Sequence, residues 1–177
     1  MTIVNGMRAY NNNGADMSVE KTLSSYIVGL QHVGHIVADL DASVAAFRLL
    51  YGLDEAAIRR EPVTDDGSAA TLFAFVRVGD TEFELIEARS PEFKEQLGAS
   101  PVGGAGINHV AWRVSDIAAC VALLAEQGIR PGHVTPGGVV EFGDRKLVYL
   151  EPADTGGLLV ELLELPPSDG QLKTDSP

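Results

Sequence analysis

The sequence predicts an α+β domain: two tandem βαβββ modules that form a cupped, eight-stranded mixed sheet with helices outside. Three observations predict it. Gln31–Leu40 reads like Asn108–Ile117, and Phe83–Glu87 reads like Val160–Glu164, both at an offset of 77 residues. A repeat at fixed spacing means two copies of one structural unit. Each copy opens on a β-branched run followed by an apolar stripe at helical spacing, and each closes on two alternating runs that read as a hairpin.

Residues 1–28 read as a flexible extension, because Asn11-Asn12-Asn13-Gly14 is a turn or disorder signal. A short helix is expected near Ser18–Ser24. The domain spans 29–165, with module one at 29–89, a linker at 90–106 and module two at 107–165. In module one, Leu30–Val37 is a strand. Asp41–Leu50 is a helix with the stripe Val44, Phe47, Leu50, capped by Asp39 or Asp41 and stopped by Gly52. Residues 54–60 make a second strand. The turn Glu61–Gly67 leads to a hairpin, Thr71–Val78 and Glu82–Ala88, across Gly79-Asp80.

In the linker, Pro91–Leu97 reads as a short helix with Ser90 as its cap, followed by flexible Gly103–Gly106. Module two repeats the order. A strand covers 107–114, and a helix runs from Ile117 to Gln127, capped by Ser115 or Asp116 and closed by Gly128. A short strand is expected near 129–134, then a Gly/Pro loop and a hairpin at 145–151 and 157–164. Residues 166–177 are a polar tail expected to fray.

The composition permits a real core, at 45% apolar and 21% charged residues. A net charge of −12 argues against nucleic acid and against an anionic membrane surface. No apolar run approaches the roughly 20 residues a membrane span needs. One cysteine excludes an internal disulfide framework and suits a cytoplasmic protein. Cys120 itself belongs to the helical stripe Ile117-Cys120-Val121-Leu124 and reads as core.

Alternation along the strands selects the functional side chains. His32, Gly34 and Ile36 share one face of the first strand; His109, Ala111 and Arg113 share the matching face of its repeat. His35 points the other way, as a structural residue. Glu84 and Glu161 each sit in an apolar strand, where a carboxylate is costly unless paired or metal-bound. His32, Glu84, His109 and Glu161 therefore form a candidate metal set. Two imidazoles and two carboxylates suit an octahedral divalent ion, Co, Mn, Ni, Zn or Fe, with two positions open for substrate oxygens. Glu87 and Glu164 also match across the repeat, and strand ends in solvent explain them. His133 reads as a plain loop residue.

These residues resemble the vicinal oxygen chelate (glyoxalase/bleomycin-resistance) superfamily, whose paired βαβββ modules bind one metal. Within it, Gly106–Val114 and Glu151–Leu162 are most similar to the methylmalonyl-CoA epimerase family. The resemblance implies the ligands His32, Glu84, His109 and Glu161, a homodimer, and proton abstraction alpha to a thioester carbonyl through a metal-stabilised enolate. The substrate is then an acyl-CoA or related thioester. The chain departs from the pattern in three places. Glu151-Pro152 stands for the usual His-Pro, the Gly-rich loop reads Val139–Lys146, and Ala69–Phe75 lacks the carboxylate that some epimerases carry on this third strand.

Glu161 is the first candidate for the catalytic base; Glu141 and then Glu151 follow. Arg113 is placed to hold a ligand carboxylate, and Arg145 and Lys146 to meet CoA phosphates. A glyoxalase I-like lyase acting on a glutathione hemithioacetal would use the same donors. A metal-free binding protein of the bleomycin-resistance type would lack them. An extradiol dioxygenase would want two His and one carboxylate.

Overall fold

The computed structural model describes residues 21–62, 65–98 and 105–166. The predicted 1–28 extension is therefore described only from residue 21. There, a 3₁₀ turn at Leu23–Ser25 leads directly into β1, Ile27–Ile36. Leu23, Tyr26 and Ile27 pack against the core of the second module, so these residues belong to the domain.

The chain continues as α1 (Leu40–Tyr51), β2 (Ile58–Glu61), β3 (Thr71–Val78), β4 (Thr81–Ala88) and α2 (Pro91–Gly98). Module two supplies β5 (Gly106–Val114), α3 (Ile117–Glu126), β6 (Val140–Phe142), β7 (Arg145–Tyr149) and β8 (Val160–Glu164). The eight strands form one mixed sheet in the order β2-β3-β4-β1-β5-β8-β7-β6. Each half repeats the other in mirror order. In both, the first strand of the module pairs parallel with the last. The halves join where β1 and β5 pair antiparallel, and the local two-fold axis passes between them.

Two elements differ from expectation. The strand expected near 129–134 is only the isolated bridge Pro131–Leu150, and the third pairing partner in module two is β6 instead. Pro131 and Gly132 explain this. Proline has no ladder donor, and a Cβ on Gly132 would lie 2.6 Å from the Leu150 carbonyl oxygen, so the chain crosses close to β7 rather than extending beside it. Residues 54–60 split into a 3₁₀ turn, Glu55–Ala57, capped by Asp54, and β2.

Helices α1 and α3 cover the convex face, while α2 contributes Phe93 and Gln96 to the cavity lining. α1 buries Leu40 and Val44 and packs Phe47, while Leu50 is exposed, because it lies off the face that 40, 44 and 47 share. α3 buries Ile117, Cys120 and Leu124, as its stripe predicts. Asp39 and Asp116, also 77 apart, accept the Ala42 and Ala119 amides as N-caps. Ser90 caps α2 through the Phe93 amide.

Glu87 and Glu164 are not explained by solvent. Glu87 accepts the Leu40 amide at 2.7 Å and Glu164 accepts the Ile117 amide at 2.7 Å. Each thus satisfies a first-turn donor of its module's helix from the last strand and meets the positive end of the helix dipole. The duplicated carboxylates tie duplicated helices to the sheet.

Candidate metal centre

The concave face of the sheet encloses a cavity of about 870 Å³. The sheet curls so far that Arg145 on β7 comes within 4.0 Å of Glu61 on β2, near the opposite edge. The four predicted ligands converge on the cavity wall. His32 Nε2 and His109 Nε2 are 3.1 Å apart. Glu161 Oε2 lies 3.2 Å from the first and 3.4 Å from the second. Glu84 Oε2 lies 3.4 Å from both. Metal–ligand bonds of about 2.1 Å put neighbouring octahedral ligands about 3.0 Å apart. All five separations are close to that value. His32, His109 and Glu161 are buried, at 5%, 1% and 3% exposure; Glu84 is more open. Those three form one buried donor group, and the pair distances add Glu84 as the fourth donor.

The backbone builds this convergence with devices repeated in both modules. β1 carries one extra residue, Gln31, between the rungs Leu30–Trp112 and His32–Ala111. β5 carries one extra residue, Asn108, between the rungs Gly34–His109 and His35–Ile107. Bulges of this kind re-aim the side chain that follows, here the two histidines. Opposite each imidazole stands a small residue: Gly34 faces His109 and Ala111 faces His32. A Cβ on Gly34 would sit 2.1 Å from His109 Cε1, so only glycine admits the ring. An aromatic ring backs each histidine edge-on: Phe75 at 6.3 Å from His32, and Tyr149 at 5.3 Å from His109. Phe75 pairs with Glu84, and Tyr149 with Glu161.

The donor chemistry fits a cation. His109 Nδ1 lies 2.9 Å from Asn108 Oδ1, an acceptor, so Nδ1 donates there and Nε2 is the nitrogen that faces the cluster. Glu161 Oε2 is buried and faces His32 Nε2 and His109 Nε2 at 3.2 and 3.4 Å. Burial works against a charge on His109, yet hydrogen bonds to Glu161 and Glu84 raise its pKa to about 9. Burial likewise works against the Glu161 carboxylate, and the His109 and His32 imidazoles outweigh it, pulling it to about 2. Both shifts describe one ion pair. Tyr149 is pushed well above its ordinary value by burial, then by the charges of Glu161 and Glu84.

The other sequence-predicted residues divide. Arg145 lines the cavity, and so does His133, which reads as a plain loop residue from sequence. Lys146, its neighbour, points to the helix side and bonds Glu164 at 3.1 Å. Glu141 lies opposite Lys146 across the β6–β7 ladder, hence on that same outer face, and does not reach the cup. Arg113 is half-buried four residues beyond His109, about 13 Å along the strand, and is not part of the cavity wall. Glu151 accepts the Ala153 amide at a 3₁₀ turn. Sequence reasoning missed Gln31, Asn108 and Tyr149, although Gln31 and Asn108 already matched across the repeat. It also missed Arg59, whose guanidinium stacks 3.9 Å from the Phe75 ring centroid and lines the cavity.

Comparison with known proteins bears on this site. Residues 31–149 match the family model of the glyoxalase/bleomycin resistance protein/dioxygenase superfamily. The chain is 32% identical over 137 residues to an ethylmalonyl-CoA/methylmalonyl-CoA epimerase of Cereibacter sphaeroides, covering 75% of this chain and 95% of the relative. It is 27% identical to the mitochondrial methylmalonyl-CoA epimerase of Mus musculus, covering 75% and 71%. Among solved structures, methylmalonyl-CoA epimerase from Mycobacterium tuberculosis superposes with a TM-score of 0.63 at 26% identity, covering 80% of this chain and 91% of that one. A single-residue variant of Streptomyces coelicolor methylmalonyl-CoA epimerase, in complex with 2-nitronate-propionyl-CoA, shares the fold, at TM-score 0.61, 21% identity and coverage of 80% and 99%.

Proposed function

The chain belongs to the glyoxalase/bleomycin resistance protein/dioxygenase superfamily, and on that footing we propose that it is a metal-dependent epimerase of a methylmalonyl-CoA-like thioester. One observation carries the proposal. Two imidazoles and two carboxylates from repeat-equivalent positions meet with separations of 3.1–3.4 Å at the wall of a ligand-sized cavity. His32, Glu84, His109 and Glu161 would hold the ion, from the set Co, Mn, Ni, Zn or Fe. When bound, a divalent ion supplies Lewis acidity that stabilises negative charge on the substrate's oxygens.

The residues of the chain do the rest. Asn108 keeps the His109 proton on Nδ1 and its lone pair on Nε2. Phe75 and Tyr149 shield the imidazoles from water and hold their planes. Glu161 is the first candidate for the base, and would serve by loosening from the ion. Its carboxylate would take the proton from the substrate's α-carbon as the C–H bond breaks and the electron pair passes into the thioester carbonyl, and return of a proton to the opposite face of the same carbon would give the epimer. Glu141 drops out as a base because it faces away from the cup.

Incubation of the metal-loaded protein with methylmalonyl-CoA in D2O, followed by NMR of the α-proton, tests the proposal. Exchange well above buffer, abolished in Glu161→Gln, is expected. A metal-loaded protein that exchanges nothing would remove the epimerase assignment. Turnover of a glutathione hemithioacetal in its place would transfer the same donor set to a glyoxalase I-like lyase. A protein that takes up neither cobalt nor manganese leaves only metal-free small-molecule binding.

A further inference from the structure

We propose that Arg59 and Arg145 form a two-armed anion clamp at the rim of the cup, that the clamp takes a phosphate group of a coenzyme A thioester, and that Glu61 fills it when no ligand is bound. The inference rests on the thioester reading above for the identity of the ligand, and on geometry for the clamp itself. Arg59 comes from β2 of the first module and Arg145 from β7 of the second. Both guanidiniums approach one atom, Glu61 Oε1: Arg59 through Nη1 in direct contact, Arg145 through Nη2 at 4.0 Å. Outside the metal cluster, Glu61–Arg145 is the one ion pair among the described residues that joins the two modules.

Charge selects the ligand. Arg59 and Arg145 are the only Arg or Lys side chains among the described residues that line the cavity. The same wall carries Glu82, Glu84 and Glu161, and the whole chain has a net charge of −12. An anionic ligand that enters this cup has these two groups to turn to. One carboxylate between two guanidiniums leaves a positive charge in excess. The Arg145 contact is too long for a hydrogen bond, so its donors are not spent on Glu61. Guanidinium forks match phosphate oxygens in pairs. Arg59 is also pre-ordered, because its guanidinium lies on Phe75, and that same ring backs the metal ligand His32. The clamp is thereby fixed relative to the metal centre, which would set the length of ligand that reaches both. Glu61 makes the contact that a ligand oxygen would make, and so competes with it.

Titration calorimetry of the full chain with coenzyme A tests the clamp, with pantetheine as the phosphate-free control. Arg59→Gln and Arg145→Gln are each expected to weaken coenzyme A binding by about tenfold or more, with unchanged thermal midpoints. Glu61→Gln is expected to tighten it. Pantetheine binding should be the same in all four proteins. Arg59→Lys, which keeps the charge and loses the fork, should fall between wild type and Arg59→Gln. The clamp is overturned if wild type does not bind coenzyme A, if the arginine variants bind it like wild type, or if pantetheine weakens in parallel, since the pair would then read the acyl group. Clamp-dependent coenzyme A binding without α-proton exchange would uphold the clamp and reject the epimerase reading alone.

Discussion

Gly34→Ala tests the architecture of the proposed metal centre at a residue that offers it no donor. The new Cβ would lie 2.1, 2.3 and 2.5 Å from His109 Cε1, Nδ1 and Nε2, whereas ordinary contacts begin near 3.4 Å. The ring must retreat by about 1.3 Å, and a metal ligand tolerates only about 0.2 Å. The alternative is separation of β1 from β5 at the rung Gly34–His109, which would break the pairing that joins the modules. Displacing the ring loses one of four donors and its Asn108 bond. Metal affinity should fall by at least about 100-fold, since even outer partners of a ligand are worth about 10–100-fold. Overpacking should cost about 1–3 kcal/mol, or a midpoint lower by about 3–10 °C. Gly29→Ala on the same strand is the control, because a Cβ there meets nothing within 4 Å. Calorimetric titration with cobalt and thermal denaturation with and without metal read both effects. In a His109→Ala background, Gly34→Ala should cost almost nothing, because the clash partner is gone. A Gly34→Ala protein that binds cobalt like wild type and melts at the same temperature would refute the reasoning.

Other consequences follow from the same geometry. Asn108→Leu should lower metal affinity by about 10–100-fold while the fold persists, because His109 Nδ1–H loses its acceptor; cobalt titration and circular dichroism check it. The raised pKa of about 9 on His109 means that the metal-free protein holds a proton there at neutral pH, which the ion must displace. Apparent metal affinity should therefore rise about tenfold per pH unit between pH 6 and 8 and level off above 9, and a pH-independent affinity over that range would contradict the coupling. Without metal, the His109–Glu161 pair contributes stability that fades as pH rises through about 9 or falls through about 2, as chemical denaturation across pH would register. Glu87→Ala and Glu164→Ala should each cost about 1 kcal/mol in urea denaturation and leave metal binding unchanged, because each removes a half-buried helix-end contact on the outer face.

The repeat carried most of what was legible in the chain. Alternation alone put His32 and His109 on one face, and duplication made two strand carboxylates improbable as chance, so the four donors could be named without coordinates. The same alternation put Arg113 on the cup face, yet Arg113 is not among the residues that line the cavity, because strand position gives a face and not a distance from the site. It also left Arg145 and Lys146 together as phosphate contacts, although adjacent residues must point to opposite faces, and only one does reach the cup. Glu87 and Glu164 looked like solvated strand ends because their partners lie 47 residues away, at helix amides.

Periodicity and duplication are local properties of a string. By themselves they carried the duplicated module order, two candidate residues for each helix cap, and the candidate donor set. Tertiary structure alone decided how far the sheet curls, and hence that Glu61 meets Arg145 across its two halves. It alone decided that glycine must stand at 34, since the ring that needs the room belongs to a residue 75 positions later. Contacts between distant strands depend on twist, bulge and register summed over many residues, and no short window of sequence contains that sum.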